Sequence, residues 1–138
     1  MIEVKTGQEW MVRLQDGDDL MGALGKLESD AALILAGIGM VRDAQLGYWN
    51  GSEYEIHTYP DPMELVSMQG NLAIDHSGQR IVHAHISLAA RDGAMCGGHL
   101  VKATAHNTVE IGLLPLRDIA LERRPESSGL VGLFPIKL

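Results

Sequence analysis

The residues best suited to chemistry are two histidines spaced two apart, His83 and His85, in the stretch RIVHAHISLAA (80–90). On a β-strand, residues two apart share a face and lie roughly 6.6 Å apart along the chain. Both imidazoles can therefore turn toward one ion at bonds of about 2.0–2.1 Å. The intervening face carries Val82, Ala84, Ile86 and Leu88 and is apolar. A third candidate follows from Arg91-Asp92-Gly93, which reads as a turn. A hairpin centred on Asp92 places His99 opposite His85, and directly opposed residues of a hairpin project to the same side. His83, His85 and His99 are thus the candidate metal ligands, provided that no bulge at Gly97-Gly98 shifts the register by one.

Neutral imidazole suits zinc, copper, iron or nickel. Zinc is the first choice, with another divalent transition metal as the alternative. Three nitrogens without an evident fourth ligand leave a coordination position open, as in catalytic rather than structural zinc sites. The ordinary reading of a lone His-X-His pair is two hydrogen-bonded surface residues, and only the third histidine lifts the set above it.

Other residues carry weaker signals. Glu64 and Glu110 each sit in a strand pattern and could orient a ligand or act as a general base, Glu64 being the candidate catalytic residue. The ordinary reading of both is a solvated or structurally paired carboxylate. His57 falls in a hairpin, His76 in a turn and His106 beside Asn107, where each reads as structural or exposed. Cys96 differs in parity from His99, so it points away from the histidine face and reads as a small buried hydrophobe. Gly37-Ile-Gly39 lacks the third glycine and following helix of a dinucleotide fingerprint.

The elements that must position these residues are mostly strands. QEWMVRLQ alternates as a half-buried strand. Asp16-Gly-Asp-Asp19 supplies capping carboxylates, and Leu20, Met21, Leu24 and Leu27 then follow at helical spacing, predicting one amphipathic helix near 18–29. AALILAGIG reads as a buried strand. Ala44, Leu46 and Tyr48 face Tyr54, Ile56 and Thr58 across Asn50-Gly51, a two-residue hairpin signal. Residues 63–74 and 80–90 form strands joined by the turn Asp75-His-Ser-Gly78, and further strands start at Ala94 and at Thr108. The tail, 117–138, has spaced apolar residues and no assignable element. Together these predict a single α+β domain over 1–138, a largely antiparallel sheet with one early helix, its core spanning about 10–116.

The 138 residues suffice for one hydrophobic core, which must be aliphatic because aromatic residues make up only 4% of the chain. The first ten residues lack the features of a secretory leader, and no apolar run is long enough to span a bilayer. The single cysteine fits a reducing compartment, so the expected location is cytoplasmic. The net charge of −7 sets the chain against phosphate backbones.

The motifs Gly37-Ile-Gly39, RDAQLGY (42–48), ELVSMQGN (64–71), HAHISL (83–88), Arg91-Asp92-Gly93 and Gly97-Gly-His-Leu100 occur in an order that resembles the PPC (plants and prokaryotes conserved) domain family, in its stand-alone bacterial or archaeal form. The likeness runs from about Trp10 to about Leu116. It implies an α+β fold assembled as a homotrimer, with a metal held by the histidines matching His83, His85 and His99. In plants the domain is fused to AT-hooks that enter the minor groove. This chain has no Arg-Gly-Arg hook, which counts with its charge against direct DNA binding.

The functional expectation is a trimeric metal-binding module, its reaction unassigned, with a small polar ligand at the open position. The alternative is a DNA-associated regulatory protein or partner-binding module.

Overall fold

Strict alternation in WMVRLQ produces β2 (Trp10–Gln15), with Trp10, Val12 and Leu14 buried and Met11, Arg13 and Gln15 facing solvent. The computed structural model describes all residues, Met1–Leu138. Before β2 lies β1 (Ile2–Lys5), paired antiparallel to it. Trp10 Nε1 donates to Glu3 Oε1 at 2.8 Å across this pair. All four residues of β1 are exposed, so no apolar periodicity marked it.

Two long strands each replace two expected ones. β3 (Ala32–Trp49) runs through both AALILAGIG and the Ala44–Tyr48 stretch, and β7 (Met95–Pro115) joins the segments after Ala94 and Thr108. Each stays continuous by bending at a residue with positive φ, Asp43 (50°) in β3 and Asn107 (63°) in β7. Asp16 braces both bends: its Oδ1 accepts from Arg42 Nη1 at 2.9 Å and from the Asn107 amide at 3.0 Å. The β3–β7 register shifts nearby, between Arg42 and Gln45, as bulges require.

β4 (Tyr54–Tyr59) folds back on β3 through a loop of residues 50–53 rather than a two-residue Asn-Gly turn. Asn50 acts there through its side chain, Oδ1 accepting from the Ser52 and Glu53 amides at 3.0 Å each. β5 (Met63–Asp75) and β6 (Arg80–Ala89) match the expected strands closely. β3 pairs with β5, β5 with β6, β6 with β7 and β7 with β3, all antiparallel, so these four strands close a ring. Their inward residues, among them Val41, Leu65, Met68, Leu72, Ile86, Leu88, Leu100 and Ile111, form one aliphatic core.

The helix α1 (Leu20–Gly25) is six residues long, much shorter than the expected 18–29. Two glycines, each costing about 1 kcal/mol in a helix interior, limit its extension. The Asp19 side chain makes no capping bond. Leu20 and Leu24 are nevertheless buried, and the chain leaves the helix in time for Leu27 to bury as well.

The tail forms a hairpin, β8 (Ile119–Pro125) with β9 (Val131–Lys137). β8 runs parallel to β5, pairing Ile74 with Glu122 and Asp75 with Arg123. The largely antiparallel sheet is therefore mixed. Leu121 anchors the hairpin by burying against Ala31 and Ala73.

One contact sets the height of the histidine strand. Gly70 of β5 lies opposite Ala84 of β6, and a Cβ at residue 70 would fall 2.0 Å from the His83 carbonyl oxygen and 2.8 Å from Ala84 Cα. Both neighbours are backbone, so they yield only if the strands separate. Gly70→Ala should destabilise the chain by about 1–3 kcal/mol, seen as a lower urea midpoint at unchanged slope. Gly25→Ala, whose Cβ meets nothing within 4 Å, is the control and should cost nothing. Equal midpoints for the two variants would contradict this account of the packing.

Candidate metal centre

The hairpin of β6 and β7 keeps unbroken register through Ala89–Met95, Leu88–Cys96, Ser87–Gly97, Ile86–Gly98 and His85–His99. No bulge interrupts Gly97-Gly98, so His99 stands directly opposite His85 as the turn predicted. His83 follows two residues away on the same face. The three rings are mutual neighbours, with centroids 5.2 Å apart for His83–His85, 5.1 Å for His83–His99 and 5.4 Å for His85–His99. One nitrogen from each lies within 4.8 Å of the others. Around a tetrahedral ion the nitrogens would sit on the order of 3.3 Å apart, so small side-chain adjustments suffice.

Behind the histidines, Ala84, Ile86 and Leu88 are buried in the core. His83 and His99 are half-buried and His85 is exposed, so the cluster opens to solvent on the His85 side. On its far side the Tyr54 ring stacks on His99, with centroids 4.6 Å apart and planes at 27°. Gly47 lies opposite His99 on β3, and a Cβ there would come within 2.8 Å of the Tyr54 ring, so only glycine leaves room for this stack.

Asn71 of β5 lies across from His83. Arg123 reaches the same spot from β8: its Nη2 donates to Asn71 Oδ1 at 2.7 Å and to His83 Nδ1 at 3.0 Å, and its Nη1 donates to the Val131 carbonyl at 3.3 Å. Arg123 is only 7% exposed, and its Nε has no partner. It forms no ion pair with any carboxylate within 4.0 Å, although Arg42, Arg80, Arg124 and the N-terminus do so elsewhere. Asp75, its neighbour in register, spends its carboxylate on Ser77 and Gln79.

This surrounding disfavours the charged forms of His83 and His99. Burial, the Arg123 charge and the other two histidines lower the His83 pKa to about 4. Burial, then His85 and Arg123, lower that of His99. Neutral imidazole is the form that ligates. His99 Nδ1 is buried with no hydrogen-bond partner, an orphaned polar atom of the kind that an ion or a water would satisfy. The donor set and this orphan fit a first-row divalent ion. His83 imposes one condition. A guanidinium only donates, so the bond from Arg123 places the proton of neutral His83 on Nε2. Ligation through Nε2 would move that proton to Nδ1, and Arg123 would then have to release His83 while keeping Asn71.

Asn71, Arg123 and Tyr54 were not singled out in the sequence. A turn centred on Ser77 would have paired Asn71 with His83, a signal as strong as the one that placed His99. Arg123 gave none, because its position depends on a parallel pairing of the unassigned tail.

Glu64 does not join the cluster. It pairs with Ala89, four residues from His85, or about 13 Å along the strand. There it is exposed and lines a separate open hollow with Tyr59, Asp61, Asp92 and Cys96. Glu110 is exposed opposite Arg13 of β2. His57 and His76 are exposed, and His106 lies 3.0 Å from Arg42 at the brace built on Asp16. Cys96 faces away from the histidines, half-buried against the core. No helix is long and apolar enough to cross a membrane.

No curated protein matches the chain. Among solved structures, a plant- and prokaryote-conserved (PPC) protein from Pyrococcus horikoshii is 31% identical, with a TM-score of 0.86 over 96% of this chain and 94% of that one. A metal-containing protein from Archaeoglobus fulgidus is 30% identical, with a TM-score of 0.83 over 97% and 98%. A protein from Ralstonia eutropha JMP134, named only provisionally as DNA-binding, shares the fold at 22% identity, with a TM-score of 0.85 over 96% and 94%. Residues 1–117 match the model of the Plants and Prokaryotes Conserved (PCC) domain, and the chain belongs to that family.

Proposed function

We propose that the chain binds one divalent transition-metal ion, zinc by preference, through His83, His85 and His99, as a homotrimer in the cytoplasm. The observation that carries this reading is the convergence of three imidazoles, one nitrogen from each within 4.8 Å of the others, with one buried ring nitrogen unpartnered. The metal-containing relative from Archaeoglobus fulgidus supports it. A fourth position, open on the His85 side, accepts water or a small polar ligand, and the reaction at it is left unassigned. Leu35, Ile38 and Val66, apolar residues at about half exposure on β3 and β5, support burial against neighbouring copies. A DNA-associated role draws only on the names of relatives below 25% identity, and the net charge of −7 opposes it.

Metal analysis of purified variants tests the site. Wild type and His76→Ala should each retain one ion per chain, whereas His85→Ala should lose affinity by about a hundredfold or more while staying folded on its aliphatic core. Equal retention by all three proteins would remove the site.

Acidification tests the electrostatics of the metal-free chain. The His83 pKa lies at about 4 when folded, below its ordinary value of 6.5, so the unfolded chain binds the extra proton between these limits. The contribution is fully present above about pH 6.5 and lost as pH falls toward 4. The denaturation midpoint of the metal-free protein should fall across that window, and His83→Gln should flatten the fall. Parallel curves would refute it.

Light scattering should give three chain masses across working concentrations. A single chain mass would exclude the trimer.

A further inference from the structure

We propose that the histidine centre takes a small oxyanion, a carboxylate or phosphate group, at its open position, and that Arg123 is the residue that makes it select an anion. This inference rests on the metal-binding reading and adds the class of ligand to it.

The argument is one of uncompensated charge. Arg123 is a guanidinium more than nine-tenths buried, and every group it bonds is neutral: the Asn71 side-chain carbonyl, His83 Nδ1 and the Val131 main-chain carbonyl. Its Nε is buried without a partner, and no carboxylate lies within ion-pair distance. A buried cation without a counter-charge is costly and is normally paired. The histidines add no negative charge. A divalent ion at their centre would bring the site to three positive charges, held behind half-buried rings where screening is weaker than in bulk water. The chain as a whole carries −7, so this spot is an exception in an acidic protein.

The geometry fits such a ligand. His85 is exposed, which leaves one side of the cluster accessible, while Arg123 stands behind His83 on the other. An anion entering past His85 meets the open coordination position first and the field of Arg123 beyond it. When His83 turns its nitrogen to an ion, Arg123 loses its acceptor on that ring, and one N–H of Nη2, the other staying on Asn71, joins Nε–H as a donor lacking a partner. The negative charge of an anion at the open position is the counter-charge that this guanidinium lacks.

The test uses the zinc-loaded full-length chain, titrated calorimetrically with oxalate, with inorganic phosphate and with neutral oxamide. Ion content is measured on every sample. Wild type should bind oxalate or phosphate and not oxamide, and the stronger of the two identifies the oxyanion. Arg123→Met should weaken the anion by about tenfold to a hundredfold with the ion retained, and Arg123→Lys should recover part of the loss. Asn71→Asp guards against misfolding of the arginine variants. It is nearly isosteric and places a carboxylate where Arg123 now bonds a neutral oxygen at 2.7 Å, so it should weaken the anion similarly. Unchanged anion affinity in Asn71→Asp, equal binding of oxamide, or no anion binding by wild type would overturn the proposal. If the chain carries no ion, the same titrations on the metal-free protein separate the two readings. Anion binding that depends on Arg123 would then keep Arg123 as the anion-selecting residue while the metal reading, and with it the coordination position, fails, and its absence would end both.

Discussion

Four strands that hydrogen-bond in a closed cycle cannot slide past one another. A slip of β6 against β7 would have to pass into β3 and β5 before the ring closed again, and each rung on the way opposes it. A one-residue slip would also turn Ala84, Ile86 and Leu88 outward and bring His83 and His85 into an aliphatic core. Closure therefore locks His85 opposite His99. The fold supplies a rigid seat for three imidazoles without requiring an ion to hold it together, unlike small domains that are unfolded without their metal.

The seat is prepared electrostatically as well as geometrically. Partial burial disfavours protonated histidine, and the guanidinium behind His83 acts in the same direction. The same guanidinium repels an arriving cation and occupies a nitrogen of one ligand. Arg123 thus favours the correct protonation state while opposing the ion itself, and the balance depends on whether its hydrogen bond moves to other acceptors. Asn71 is within reach to keep it.

The site was legible in the sequence where it is local. A strand parity and one turn sufficed for His83, His85 and His99, because a tight hairpin determines register from the turn outward. The same arithmetic on the next turn would have reached Asn71. What escaped depends on pairings distant in sequence. β1 has no buried face to show a period, and the parallel approach of β8 to β5 leaves no turn to count from. The helix was over-extended because its apolar spacing continues through Leu27, although its glycines do not support a longer helix. The long bent strands were divided because positive φ at Asp43 and Asn107 looks like an ending when the braces on Asp16 are not visible.

The hairpin of β8 and β9 lies beyond residue 117, where the match to the family model ends. Every candidate ligand lies inside that span, and the cation behind them lies outside it. The histidine cluster and the charge beside it are therefore carried by different stretches of chain. A descendant that exchanged one side chain in this hairpin would keep all three histidines and change the charge beside them, so that a common scaffold could be retuned without touching the histidine cluster.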